Sequence, residues 1–165
     1  ASVPDTVSGD VILAGDTVIA IDNRVFGKPR SGVEATAMLL ALRDRPHSVV
    51  TGVAVQDSRT GESLIDVKES IVQMRGYSPK EIERYVRTNT PLDRAGAYGI
   101  QDDDFSPVKS LKGCYLNVVG LPICIVAVLL TQIGARVALR PRCSVPYLAS
   151  CVSCDLDTQL YGENP

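Results

Sequence analysis

From Gly113 to Ala135 the chain carries no charged residue, so this stretch must either cross a membrane or enter the middle of a folded core. Asn117, Gly120, Pro122, Thr131 and Gln132 interrupt it, and only Leu121 to Leu130 is unbroken. That is about half of the ~20 apolar residues a spanning helix needs. The pattern predicts a buried core helix launched at Gly120-Leu-Pro122 and stopped at Gly134, with no membrane association. A core able to enclose such a helix requires a substantial domain. At 165 residues and 17.7 kDa the chain supplies one domain and not two. Apolar residues at 45% and charged residues at 22% exclude a disordered or fibrous chain. The 17 basic and 19 acidic residues leave a net charge of −2 with no basic block, which argues against binding nucleic acid or a membrane surface by bulk charge.

Upstream, Val11-Ile-Leu-Ala-Gly-Asp-Thr-Val-Ile-Ala-Ile21 is short and nearly continuously apolar, the pattern of a strand buried in the centre of a sheet. Asp22-Asn23 turns it, and Val25-Phe26 returns in extended form. Ser31-Gly-Val-Glu34 has capping-box spacing and is followed at helical period by Ala35, Met38, Leu39 and Leu42, so a helix starts there. His47 to Val55 and Leu64 to Met74 are β-rich, and the polar run from Asp57 to Glu62 predicts a hairpin between them. Ser78-Pro-Lys-Glu81 opens a second helix with Pro79 at its first position, ending near Arg87. Asn89 to Gln101 reads as a Gly-rich loop, Asp102-Asp-Asp104 as a solvated acidic tip, and Val108 and Tyr115–Val119 as short strands. Beyond Arg140 periodicity is lost, dividing the chain into a domain over 1–140 and an irregular Cys-containing tail over 141–165. Helices mixed with hairpin-forming strands predict an α/β domain with a mixed β-sheet flanked by helices.

Three positions stand out chemically. Asp16 is the only acid in the first apolar run, where an unpaired buried carboxylate would be strongly destabilising. It must be paired, metal-bound or open to a cleft, unless it simply faces solvent at a strand end. Lys28, on the rigid turn Gly27-Lys-Pro29, suits a point-charge phosphate ligand or an ordinary turn lysine. In Asp93-Arg-Ala-Gly-Ala-Tyr-Gly-Ile-Gln101 the small residues leave room for a planar ligand, and the Gln101 amide can pair with a base edge.

The five cysteines, Cys114, Cys124, Cys143, Cys151 and Cys154, are odd in number, and no basic-then-apolar leader precedes the domain. Both features predict reduced thiols and a cytoplasmic protein. Cys151-Val-Ser-Cys154 has metal-ligand spacing with Cys143 as a third thiolate, but no second such pair exists to close a zinc site. His47, the sole histidine, reads as structural.

Ala14-Gly-Asp-Thr-Val18, Gly27-Lys-Pro29, His47-Ser-Val-Val-Thr-Gly52, the Asp93–Gln101 segment and Asn117-Val-Val-Gly-Leu-Pro122 occur in the order and spacing of the Maf family. From Val11 to Ile133 the chain resembles that family, whose fold is similar to that of the inosine-triphosphate pyrophosphatases. The resemblance implies a nucleoside triphosphate pyrophosphatase that cleanses nucleotide pools, with a divalent cation, Mg²⁺ or Mn²⁺, as cofactor. It puts the catalytic proton acceptor at Asp16, a triphosphate ligand at Lys28 and base selectors at Thr17 and Gln101. The Thr/Gln combination resembles the branch that prefers dTTP and UTP. A homodimer is among the assemblies the resemblance allows.

The chain departs from the family in several places. The Ser-x-Ser-Pro-Arg-Arg motif, whose arginines grip phosphate, has no match among the fifteen residues before Asp16, and Asp102 replaces the Gly after Gly-Ile-Gln. The chain therefore reads as N-terminally incomplete, and residues 1–165 by themselves are expected to hydrolyse little. The rival reading is a truncated, inactive relative that binds nucleotides or acts through protein contacts.

Overall fold

The computed structural model describes residues 10–135 and 137. The expected tail over 141–165, with Cys143, Cys151 and Cys154, lies outside the described residues. The frame is a five-stranded sheet in the order β2-β1-β3-β4-β5. Its strands are β1 (Val11–Ile21), β2 (Arg24–Phe26), β3 (Pro46–Asp57), β4 (Ser63–Met74) and β5 (Val108–Lys112). Helices α1 (Gly32–Leu42), α2 (Pro79–Val86), α3 (Tyr115–Val119) and α4 (Ile123–Gln132) complete the α/β fold. Every pairing is antiparallel, where the sequence suggested a mixed sheet. Tight turns join β1 to β2 and β3 to β4, and α1 returns the chain against β1 in the opposite sense, so no parallel crossover is made. In the β1–β2 turn Asp22 and Asn23 both have positive φ, the conformation a two-residue hairpin requires.

Both predicted helix starts are present. Ser31 Oγ accepts from Glu34 N–H at 3.2 Å, while the Glu34 carboxylate reaches one residue further back, to Arg30 N–H at 2.7 Å. At α2 the box closes on itself: Ser78 Oγ accepts from Glu81 N–H, and Glu81 Oε2 accepts from Ser78 N–H at 2.8 Å. Those contacts, with Arg75 2.8 Å away, hold the Glu81 carboxyl down at about 2.

The packing is one-sided. His47, Val49, Thr51, Val53 and Val55 alternate onto one face of β3 and are all buried. Ile19, Val49 and Val72 join Leu39 and Leu42 of α1 and Ile82 and Tyr85 of α2 in the main core. Val53 and Val55 pack with Val126 and Leu129 of α4, the buried core helix the uncharged run predicted. Among the described residues no helix is long and apolar enough to cross a membrane. On the opposite face Ile65, Val67 and Ile71 of β4 are exposed.

Three further expectations are corrected. The first is the central burial of β1: β2 pairs only with Ile19–Ile21, so Val11–Val18 is bonded on one side alone, by β3, and is largely exposed. The second is the strand at Tyr115–Val119, which is a short helix. Gly113 and Gly120, at φ of 122° and 123°, turn the chain on either side of it. Between them the buried Asn117 amide donates to Val49 O at 3.0 Å and Ser70 Oγ at 2.9 Å, satisfying two strands at once. The third is Asp102, which is not solvated with its neighbours. Its Oδ2 accepts from Gly99 N–H at 2.9 Å and from the Tyr85 hydroxyl, locking the loop before it.

Candidate active site

Where β1 loses its outer neighbour, the sheet edge forms one wall of a cavity of about 480 Å³. Gly15 to Ile19 supply that wall. Gly27 and Lys28, from the turn after β2, and the loop from Asp93 to Gln101 supply others, and Val118–Gly120 close the far side. The four residues singled out in the sequence, Asp16, Thr17, Lys28 and Gln101, therefore line a single cavity although they come from three separate segments.

The loop reaches this position because its glycines allow it to. Gly96 has φ +66°, and a Cβ built there would lie 2.4 Å from Ile19 Cδ1 and 3.3 Å from Leu42 Cδ1. Only a residue without a side chain lets this turn press between β1 and α1. Its N–H also donates to Gly27 O at 3.0 Å, tying the loop to the Gly-Lys-Pro turn. Under the loop Tyr98 is buried, with its hydroxyl 2.7 Å from His47 Nε2. Burial holds the His47 pKa down at about 4 and pushes the Tyr98 hydroxyl well above its usual range. His47 is thus a neutral structural support, as its isolation in the sequence suggested.

Asp16 is exposed on the cavity wall, and its Oδ1 accepts from Thr17 N–H at 2.8 Å. This resolves the alternatives the sequence left open: the carboxylate escapes burial by opening onto a cleft. Lys28 lies 2.5 Å from Asp93 Oδ1, and this hydrogen bond pulls the Asp93 carboxyl below its usual range. Both side chains are mostly exposed, so the pair contributes little to stability and can be exchanged for an incoming anion. Sequence reading missed Asp93 as the partner of Lys28. It also missed Arg94, a second cation on the cavity wall whose guanidinium lies 3.9 Å from Asp102. Their place beside Gly96 was the available signal.

Among the described residues no three His, Cys, Asp or Glu side chains converge to make a protein-built metal cage. A hydrated Mg²⁺ or Mn²⁺ shared between one carboxylate and substrate phosphates needs no cage. Asp16, exposed and accepting the Thr17 N–H at Oδ1, fits that arrangement.

The family profile described as "Maf-like protein" matches residues 2–133. The chain belongs to the Maf family. Among similar Maf proteins, the "dTTP/UTP pyrophosphatase" of Dehalococcoides mccartyi is 42% identical over 124 residues, covering 75% of this chain and 55% of that one. The protein of the same name from Dictyoglomus thermophilum is 44% identical over 124 residues, covering 75% and 64%. That of Thermomicrobium roseum is 43% identical over 148 residues, covering 90% and 66%. The chain thus spans between about half and two thirds of the length of these Maf relatives.

Proposed function

We propose that this Maf domain hydrolyses pyrimidine nucleoside triphosphates, dTTP and UTP, to the monophosphate and pyrophosphate. The observation that carries the reading is the convergence of a carboxylate, an exchangeable lysine and a glutamine amide on one cavity from three segments of chain. The similarity to proteins known as dTTP/UTP pyrophosphatases supports the same substrate class.

Water attacks the α-phosphorus, a P–O bond to the water oxygen forms, and the P–O bond to the pyrophosphate leaving group breaks. Asp16 takes the proton that water loses, a role suited to an exposed carboxylate at the cavity wall. Lys28 leaves Asp93 for the phosphates and offsets the charge that builds on the leaving group; Arg94 adds a second cation at the same rim. Gln101 can donate its amide N–H to O4 of uracil and thymine, where cytosine presents an amine instead. A bound Mg²⁺ or Mn²⁺, held by Asp16, would neutralise phosphate charge and polarise the attacking water. The same reading places the protein in the cytoplasm, where its substrates are.

Because residues 1–165 by themselves are expected to hydrolyse little, the test uses the chain extended ahead of Ala1 by the Ser-x-Ser-Pro-Arg-Arg segment of a Maf relative. It measures pyrophosphate release from dTTP, UTP, CTP, ATP and GTP at equal concentration with Mg²⁺ or Mn²⁺. Preference for dTTP and UTP is expected, and Gln101→Ala should reduce it by about tenfold. Equal turnover of all five would overturn the Gln101 contact; release from none would overturn the reaction.

A further inference from the structure

Beneath the cavity wall lies a buried hydroxyl chain that the reaction above leaves unused. Thr17 Oγ1 is 2.8 Å from Thr51 Oγ1, and Thr51 Oγ1 donates to Asn117 O at 3.1 Å. Thr51 and Asn117 are fully buried, and Thr17 lines the cavity. Because a threonine hydroxyl carries one proton, the direction of the chain can be assigned. A carbonyl oxygen can only accept, so the Thr51 proton goes to Asn117 O. Thr17 must then donate its own proton to Thr51. The reverse arrangement would leave the Thr51 and Asn117 oxygens 3.1 Å apart with no proton between them.

Asn117 cannot shift to relieve this constraint. Its amide is bonded to Val49 O and Ser70 Oγ, and Ser70 Oγ is bonded in turn to both N–H and O of Cys114. Its main-chain carbonyl, the oxygen that takes the Thr51 proton, also accepts the Gly120 N–H at 3.1 Å. The acceptor at the end of the chain is therefore anchored to two strands and to the turn that closes the cavity.

We propose that Thr51 is a positioning residue that makes Thr17 an obligate acceptor, so that the cavity takes a base whose facing edge carries an N–H. The inference rests on the pyrophosphatase reading and deepens it: Thr17 receives the N3–H of uracil or thymine and meets the bare N3 lone pair of cytosine with repulsion. A ligand O–H could serve as the donor in the same way, and the only such source on the substrate is the sugar.

The experiment compares hydrolysis of UTP, CTP, N3-methyl-UTP and 3′-deoxy-UTP by the wild-type protein and by Thr51→Val and Thr51→Ser, each extended ahead of Ala1 by the Ser-x-Ser-Pro-Arg-Arg segment of a Maf relative. Valine matches threonine in shape but cannot accept the Thr17 proton, which frees Thr17 to donate. The UTP:CTP rate ratio should fall by about tenfold in Thr51→Val and stay near wild type in Thr51→Ser, which restores the hydroxyl. Wild-type protein should reject N3-methyl-UTP and accept 3′-deoxy-UTP. A purely structural role for Thr51 predicts that UTP and CTP rates fall together with the ratio unchanged, and that result overturns the proposal. Acceptance of N3-methyl-UTP with rejection of 3′-deoxy-UTP overturns it as well, by moving the contact to the sugar. If Thr51→Val fails to fold, Thr17→Val removes the acceptor directly, and an unchanged ratio there is equally fatal. Hydrolysis of no nucleotide by the wild type would sink the pyrophosphatase reading first, and this inference with it.

Discussion

The two halves of β1 share one strand and one composition yet live in different environments. Ile19 lies between β2 and β3 and Ile21 pairs with β2; they are 3% and 7% exposed. Val11 and Leu13 have β3 alone beside them and are 41% and 43% exposed. The closed half carries the core, with Gly96 and Leu42 packed against Ile19. The open half carries Asp16 and Thr17 on the cavity wall. An apolar run can thus serve two purposes, and which part becomes a site depends on where its neighbour ends.

If this division is right, substitutions in the open half should alter chemistry without altering stability, and those at the closed half the reverse. The largest effect is expected at Asp16. Asp16→Asn keeps the volume and the exposed position while removing the proton acceptor, so turnover should fall roughly 10²–10⁴-fold. The thermal unfolding midpoint should stay within about a degree of the parent. A mutant retaining more than about a tenth of the parent rate would remove Asp16 from the reaction.

Next comes Gly96→Ala on the closed side. The added Cβ would meet Ile19 Cδ1 at 2.4 Å in a left-handed backbone conformation. Strain and overpacking together should cost about 2–4 kcal/mol, read from urea unfolding. A loss below about 1 kcal/mol would mean that the loop is not wedged into the core as described.

The smallest effect is expected from His47, which supports the loop from beneath. Its pKa is about 4 in the fold against 6.5 when unfolded. As pH falls below 6.5 the unfolded chain takes up a proton that the folded chain refuses, so stability is lost between pH 6.5 and 4. Between pH 7 and pH 5 the loss should be about 2 kcal/mol. Glu81, held down at about 2 by its cap contacts and Arg75, loses its contribution only below its ordinary value of 4.5, so it does not confuse that window. His47→Gln should flatten the profile between pH 7 and 5; a profile unchanged by the substitution would assign the pH dependence to other groups.

Local signals determined much of the frame before any tertiary contact was considered. Ser31 and Ser78 mark both helix starts, Ala35, Met38, Leu39 and Leu42 mark the buried face of α1, and the polar run after Asp57 marks the β3–β4 hairpin. The uncharged run to Ala135 gave α4 its buried place. These features depend on residues a few positions apart, whose caps and periodicities are written directly in the chain. The candidate site residues were legible too, because Asp16, Lys28 and Gln101 interrupt patterns that otherwise need no such groups. What the tertiary structure alone decided is how those residues are held. Lys28 meets Asp93 across 65 positions, Thr17 meets Thr51 across 34, and Thr51 meets Asn117 across 66. The same holds for Tyr115–Val119, helical because Asn117 must reach two strands, and for Asp102, withdrawn from solvent to hold Gly99 and Tyr85. Such pairings leave no periodic trace, since their energy comes from satisfying a buried donor or acceptor, and only the assembled fold supplies the partner.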